Sequence, residues 1–166
     1  MATLALIAGF GWAPCNAGED ATCKLVFDAM AKAVLTPNHQ YMTLKIDAID
    51  GGKPRVSEII DTGKATFMGH DGKWKPGVPA QAMLDQMNEN RRNAKTTCRF
   101  VRDEAVDGAN ASLYTVREED SDSGSTDSKV WLAKATGLPI HVVLEMEGTH
   151  SESRYVYGAV SAPPLN

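Results

Sequence analysis

The sequence has no cluster of basic residues and no long hydrophobic run. Its longest run of Lys or Arg is the pair Arg91-Arg92, and its formal net charge is −4. A nucleic-acid-binding protein needs a basic face, so we expect no nucleic-acid partner. The apolar stretch at residues 2–13 is too short to cross a bilayer as a helix. We therefore expect no stable membrane span.

Recognisable catalytic motifs are also missing. The sequence has no G-x-S-x-G nucleophile elbow, no P-loop and no G-x-G-x-x-G. Its four histidines, at positions 39, 70, 141 and 150, show neither the H-x-H nor the H-E-x-x-H spacing of a metal site. We predict no metal site and no cofactor, and we expect a non-enzymatic protein. A hydrolase with an unrecognised site is the remaining enzymatic alternative.

The N-terminus resembles an export signal. Residues 1–18 carry no charge, and the apolar stretch has the length of a signal-peptide core. Cys15 and Ala17 are small residues at the −3 and −1 positions for cleavage after Ala17, although a basic n-region is absent. We predict a signal peptide at residues 1–17, a single domain at residues 18–166 and a periplasmic location. A buried N-terminal strand or helix is the alternative.

Cysteine is scarce, with three in the chain. Cleavage after Ala17 removes Cys15 and leaves Cys23 and Cys98, which we expect to form a disulfide in an oxidising compartment. Two separate buried thiols are the alternative.

The first two thirds of the chain predict two helices and several strands. Apolar residues recur at helical spacing in residues 20–35 and 80–92, and Asp20 and Pro37 are a candidate N-cap and stop for the first helix. Turn residues and alternation predict strands at 39–49, 56–61, 65–69, 98–106 and 112–118. The acidic, serine-rich residues 118–128 are predicted to form an exposed loop.

The last third is the most regular part. Residues 129–164 read as three consecutive antiparallel strands, and Ile140, Val142, Leu144 and Met146 form one apolar face. Such a sheet must bury this face, and the two amphipathic helices are candidate covers. The fold class is therefore α+β, with a curved antiparallel sheet covered by an N-terminal helix and a second helix.

The second helix has a narrow, methionine-rich stripe of Met83, Leu84 and Met87. Methionine fills irregular space and adapts to varied partners, so this helix suits a movable lid over a hydrophobic ligand. The alternative is that these residues are ordinary core.

Three short motifs resemble the periplasmic lipoprotein-carrier superfamily, LolA/LolB-like. They are Gly72-Lys73-Trp74, then Val130-Trp131 followed by Gly137-Leu138-Pro139, and finally Arg154-Tyr155-x-Tyr157 before Ala162-Pro163-Pro164. The resemblance implies an incomplete β-barrel whose hydrophobic cavity is closed by helices and holds acyl chains. The carriers have an arginine on an early strand that helps to hold the lid. Arg55 occupies a similar region of this sequence but lacks the Arg-Pro context, so we do not assign it that role.

The resemblance implies a hydrophobic ligand or lipid acyl chain as partner, with an envelope protein as a further partner. An envelope interaction or structural protein with a fully packed core is the alternative. The ligand-cavity candidates are Met42, Leu44, Ile46, Met83, Leu84, Met87, Ile140, Val142 and Leu144.

Overall fold

The structure is a computed structural model that describes residues 20–120 and 124–165. The predicted signal peptide at residues 1–17, including Cys15, lies outside the described residues. Among the helices of the described part, none is long and apolar enough to cross a membrane.

Two helices lie where the periodicity predicted them. Helix α1 spans Ala21–Val34 and helix α2 spans Ala80–Asn93. The Asp20 side chain caps α1 by accepting from the Thr22 N–H at 2.9 Å, so the predicted N-cap is confirmed. At the other end, the buried Asn38 amide donates to the Ala33 carbonyl at 3.2 Å, which ties the end of α1 to the first strand.

Nine antiparallel strands of residues 20–120 and 124–165 form a single open sheet. In chain order they are β1 (Asn38–Ile46), β2 (Arg55–Asp61), β3 (Thr66–His70), β4 (Lys73–Pro76), β5 (Lys95–Val106), β6 (Ala109–Asp120), β7 (Gly124–Ala133), β8 (Pro139–Met146) and β9 (Thr149–Tyr157). Their order across the sheet is β4-β3-β2-β1-β9-β8-β7-β6-β5. The edge strands β4 and β5 do not pair with each other, so the barrel is incomplete. The predicted α+β class with a helix-covered, unclosed antiparallel sheet is confirmed.

Two local predictions need correction. Strand β4 was not predicted, and it makes four strands rather than three before α2. The predicted loop at residues 118–128 is largely strand, because β6 continues to Asp120 and β7 starts at Gly124. The Arg117 guanidinium donates to both carboxylate oxygens of Asp127, at 3.1 and 2.8 Å, across this exposed hairpin.

The hydrophobic core lies between α1 and the β5–β8 half of the sheet. Cys23, Val26 and Ala29 of α1 are buried there against the sheet residues Cys98, Val116, Val130 and Leu132. A disulfide joins Cys23 to Cys98, with 5.0 Å between the two Cα atoms. The helix is therefore fixed to the sheet covalently as well as by packing.

The end of the β5–β6 hairpin bends back over the outer face of the sheet. Arg154 of β9 donates to Asp107 at the hairpin tip at 2.7 Å, although β7 and β8 separate β9 from β6. The Trp131 indole N–H donates to Glu104 of β5, also at 2.7 Å. A register shift near the middle of β5 marks the bulge that allows the bend. Leu113, next to this contact, is almost fully buried.

Candidate functional site

A cavity of about 190 Å³ lies between the two helices and the inner face of the sheet. Its wall is mostly apolar. The lining residues are Met30, Ala33 and Val34 from α1, Met83 and Met87 from α2, and Asn38, Gln40, Ile59, Asp61, Thr66 and Tyr155 from β1, β2, β3 and β9.

The sheet residues of the cavity come together through lateral pairing. Side chains two positions apart on a strand share a face, so Ile59 and Asp61 of β2 point the same way. Asn38 pairs with Asp61, and Gln40 pairs with Ile59 on one side and with Tyr155 on the other. The cavity floor therefore spans the seam where the first and last strands meet.

Among the described residues that line the cavity, Asp61 has the only carboxyl group. It is 5% exposed, and it accepts from the Gly63 N–H at 2.8 Å and from the Thr66 hydroxyl at 3.4 Å. Burial raises the pKa of Asp61 above its ordinary value, because the loss of water outweighs these two hydrogen bonds. Gly63 needs its positive φ of 77° for this turn, and an added Cβ would lie 2.8 Å from the Leu35 carbonyl oxygen.

Tyr155 of the cavity lining is supported by the neighbouring Tyr157 of β9. The rings of Tyr155 and Tyr157 are stacked, with their centroids 6.1 Å apart. Burial raises the pKa of Tyr155 to about 12, so its hydroxyl stays protonated at neutral pH. The Tyr157 hydroxyl donates to the Pro139 carbonyl at 2.7 Å, which fixes the pair against β8.

Helix α2 covers the cavity but is loosely attached. Ala80 is its only fully buried residue, and Pro79 provides no side-chain cap for its start. The Gly77 N–H before it donates to the Thr66 carbonyl at 2.8 Å, and the Arg91 guanidinium near its end lies 5.2 Å from the centre of the Phe27 ring. Ala80, the two methionines and these contacts at its ends help to hold the cover in place.

Two of the nine predicted cavity residues line the cavity, and the other seven lie elsewhere. Met83 and Met87 line the cavity, and Val142 packs against the core beneath α1. Leu84 is half-buried on α2 outside the lining. Alternation places Met42, Leu44, Ile46 and Leu144 on the inner face, outside this lining. Ile140 lies where the β7–β8 register shifts.

Sequence reasoning missed the polar part of the lining. Asn38 and Gln40 share the strand face of Met42, so the same alternation extends to them, but they are polar and were not selected. Asp61 carries no local signal, and the motif that contains Tyr155 does not place it at the cavity, because their shared position depends on which strands pair. Within the described residues, no group of three or more His, Cys, Asp or Glu could hold a metal ion.

We predict that Asp61→Asn changes the pH dependence of stability. Because the pKa of Asp61 is higher in the folded state than in the unfolded state, protonation of this carboxyl group stabilises the fold. The stabilisation is complete below the unfolded-state pKa, near 3.8, and is lost as pH rises through the folded-state pKa. The unfolding free energy of the variant minus that of the wild type should therefore rise across this interval and then level off.

Urea unfolding at a series of pH values measures this difference. The matched control is Asp28→Asn, which removes an exposed carboxyl group from α1. A difference for Asp61→Asn that does not vary with pH would contradict the prediction.

The class of structure is an α+β half-barrel: an open antiparallel sheet whose inner face is covered by two helices. No family model and no curated protein matches the sequence. Lipoprotein LppX of Mycobacterium tuberculosis matches in structure, with a TM-score of 0.53 at 10% identity over 84% of this chain and 95% of LppX. This likeness shows the fold.

Two further solved structures align at lower scores. LprF from Mycobacterium bovis has a TM-score of 0.44 at 11% identity and covers 84% of this chain and 94% of its own. A LolA superfamily protein from Nitrosomonas europaea has a TM-score of 0.31 at 7% identity and covers 87% of this chain and 96% of its own. The likeness to LppX confirms the predicted architecture, an incomplete antiparallel sheet covered by helices.

Proposed function

We propose that the protein is an exported, periplasmic binding protein that takes a lipid acyl chain or other hydrophobic ligand into the cavity beneath α2. The observation that carries the proposal is the mostly apolar cavity of about 190 Å³ between the helices and the sheet. Apolar ligands are bound by buried area, with a few polar groups for orientation. The lining has this composition, and the proposed role is binding rather than catalysis.

The cavity volume limits what can enter. Pockets for drug-sized ligands hold about 300–1,000 Å³, so the closed cavity accommodates only the end of one chain. A longer chain requires α2 to move outward, and its weak attachment permits this motion. Met83 and Met87 can repack around a ligand because methionine side chains are flexible.

Export is supported by the Cys23–Cys98 disulfide. Disulfides persist in oxidising compartments such as the bacterial periplasm and are rare in the cytosol. A fusion of residues 1–20 to a reporter enzyme tests this part of the proposal. Retention of the reporter in the cytoplasm would contradict it.

Filling the cavity is predicted to block ligand binding. Ala33 is 3% exposed and lines the cavity from α1, so Ala33→Phe places a ring in the space of the ligand. We expect the affinity for a fluorescent long-chain acyl probe to fall by about tenfold or more, with a stability cost of about 1–3 kcal/mol from overpacking. Probe titration and thermal unfolding measure the two effects.

The matched control is Ala82→Phe, on the exposed side of α2. Met87→Phe is a second filling variant in case Ala33→Phe fails to fold. Equal probe affinity in both filling variants and the control would contradict the proposal. Native mass spectrometry of protein purified from periplasm should also show a co-purifying hydrophobic ligand.

A second candidate function is binding of an envelope protein. Strand β5 is an edge strand of twelve residues, and its Phe100 and Val101 are 53% and 43% exposed. An exposed edge with apolar side chains can accept an added strand from a partner. Cross-linking from position 101 in periplasm would detect such a partner. The control is cross-linking from position 45, an exposed position of β1, which lies between two other strands of the sheet.

A further inference from the structure

A basic cleft lies beside the cavity, and alternation places six of its eight lining residues on the same inner face, with Gly69 and Trp74 on the other. It has a volume of about 460 Å³ and is lined by Arg55 and Ser57 of β2, Met68, Gly69 and His70 of β3, and Lys73, Trp74 and Lys75 of the β3–β4 hairpin. Among these lining residues none is acidic. The nearby Asp71 of the turn contacts the His70 ring at 3.4 Å.

The register shows that the cleft and the cavity are neighbours. On β2, Arg55, Ser57, Ile59 and Asp61 alternate onto one face, with the first two in the cleft and the last two in the cavity. Met68 of the cleft pairs directly with Ile59 of the cavity. The distance along β2 from Ile59 to Arg55 is about 13 Å, a span that one extended alkyl chain covers.

The charge of the cleft contrasts with the rest of the chain. The protein has a net charge of −4, yet Lys73 and Lys75 bring positive charge to a cleft that adjoins the apolar cavity. Lys75 pairs with Met68 and Lys73 with His70, so both lysines lie on the inner face. Apolar space that ends in cations is complementary to an amphiphile with an anionic headgroup.

We propose that the ligand is an anionic single-chain amphiphile, with its chain beneath α2 and its phosphate or carboxylate headgroup in the basic cleft. This proposal rests on the proposed function, because it requires the cavity to hold the chain. The lysines also lie on an edge strand, where charge discourages pairing with other sheets. If the lysines have only that role, the charge of a ligand's headgroup does not affect its affinity. Selectivity for an anionic headgroup therefore distinguishes the two explanations.

The test uses three probes with one chain: dodecyl phosphate, dodecylphosphocholine and dodecyl maltoside, each below its micelle concentration. By calorimetry, the wild type should bind dodecyl phosphate about tenfold or more tightly than dodecyl maltoside. The preference should fall as salt is raised, since exposed charges are screened. Inorganic phosphate alone should compete weakly, and displacement by phosphate as effective as by dodecyl phosphate would overturn the proposal.

The variant Lys73→Gln/Lys75→Gln should lose most of this preference while its affinity for dodecyl maltoside stays unchanged. The matched control, Lys64→Gln/Lys129→Gln, removes the same charge from exposed positions outside the cleft and should keep the preference. If all three probes bind the wild type equally, or if both double variants behave alike, the headgroup proposal fails and hydrophobic binding stands. If none of the probes binds, the proposed function itself fails.

Discussion

Replacing Cys23 and Cys98 together by alanine is expected to lower the free energy of unfolding by about 4 kcal/mol. The two cysteines are 75 residues apart, and a cross-link that closes a loop of this length removes much of the conformational entropy of the unfolded chain. Both side chains are also buried, at 2% and 4% exposure, so alanine leaves a small packing defect. The effect is large compared with the 5–15 kcal/mol of a typical domain.

Denaturant unfolding of the double variant and of the wild type, each with and without a reducing agent, measures this effect. The reducing agent should destabilise the wild type by a similar amount and leave the double variant unchanged, which is the internal control. A loss of less than about 1 kcal/mol would show that packing alone fixes α1 to the sheet.

Leu132→Ala is expected to destabilise the fold by about 2–5 kcal/mol. Leu132 of β7 is 4% exposed and lies in the core with Val26 of α1 and Val130 of its own strand. Shortening the side chain loses its burial free energy and leaves a cavity that the rigid sheet cannot fill completely. The change also loosens the support of α1, which forms one wall of the ligand cavity.

The matched control is Leu25→Ala. Leu25 of α1 is 47% exposed, so this substitution makes the same chemical change at the surface. Its effect should stay within about 0.5 kcal/mol. Equal destabilisation by the two variants in urea would contradict the position of the core beneath α1.

The helices could be predicted from the sequence because their signals are local. The stripe in α1 and its boundaries at Asp20 and Pro37 placed the helix to within a residue or two. Strand β4 could not be predicted in this way. It has four residues, two of them lysines and one a proline, and it pairs only with β3 at the edge, so it needs no apolar alternation.

The hairpin at residues 118–128 was misjudged for a related reason. Its strands extend through backbone pairing and exposed ion pairs such as Arg117–Asp127, which require no buried side chains. Composition alone therefore predicted a loop.

Only part of the candidate site could be predicted. The methionines of α2 were predicted from their stripe, because a lid residue must face whatever the helix covers. The position of Tyr155 beside Gln40 depends on the pairing of β9 with β1, which no local pattern specifies. The basic cleft likewise depends on the β2–β3–β4 register, which brings Arg55 close to Lys73 and Lys75.

The seam between β1 and β9 also constrains the order in which the chain can fold. Strands β1–β4 and β5–β9 are two meanders that can form hairpin by hairpin, but they become one sheet only when the last strand has been made. Contacts between distant parts of a chain form slowly, because the intervening loop must first close. Until β9 arrives, β1 and β8 are open edges that can pair with other chains. A chain truncated before Thr149 should therefore aggregate during biosynthesis, even though strands β1–β4 and β5–β8 are intact.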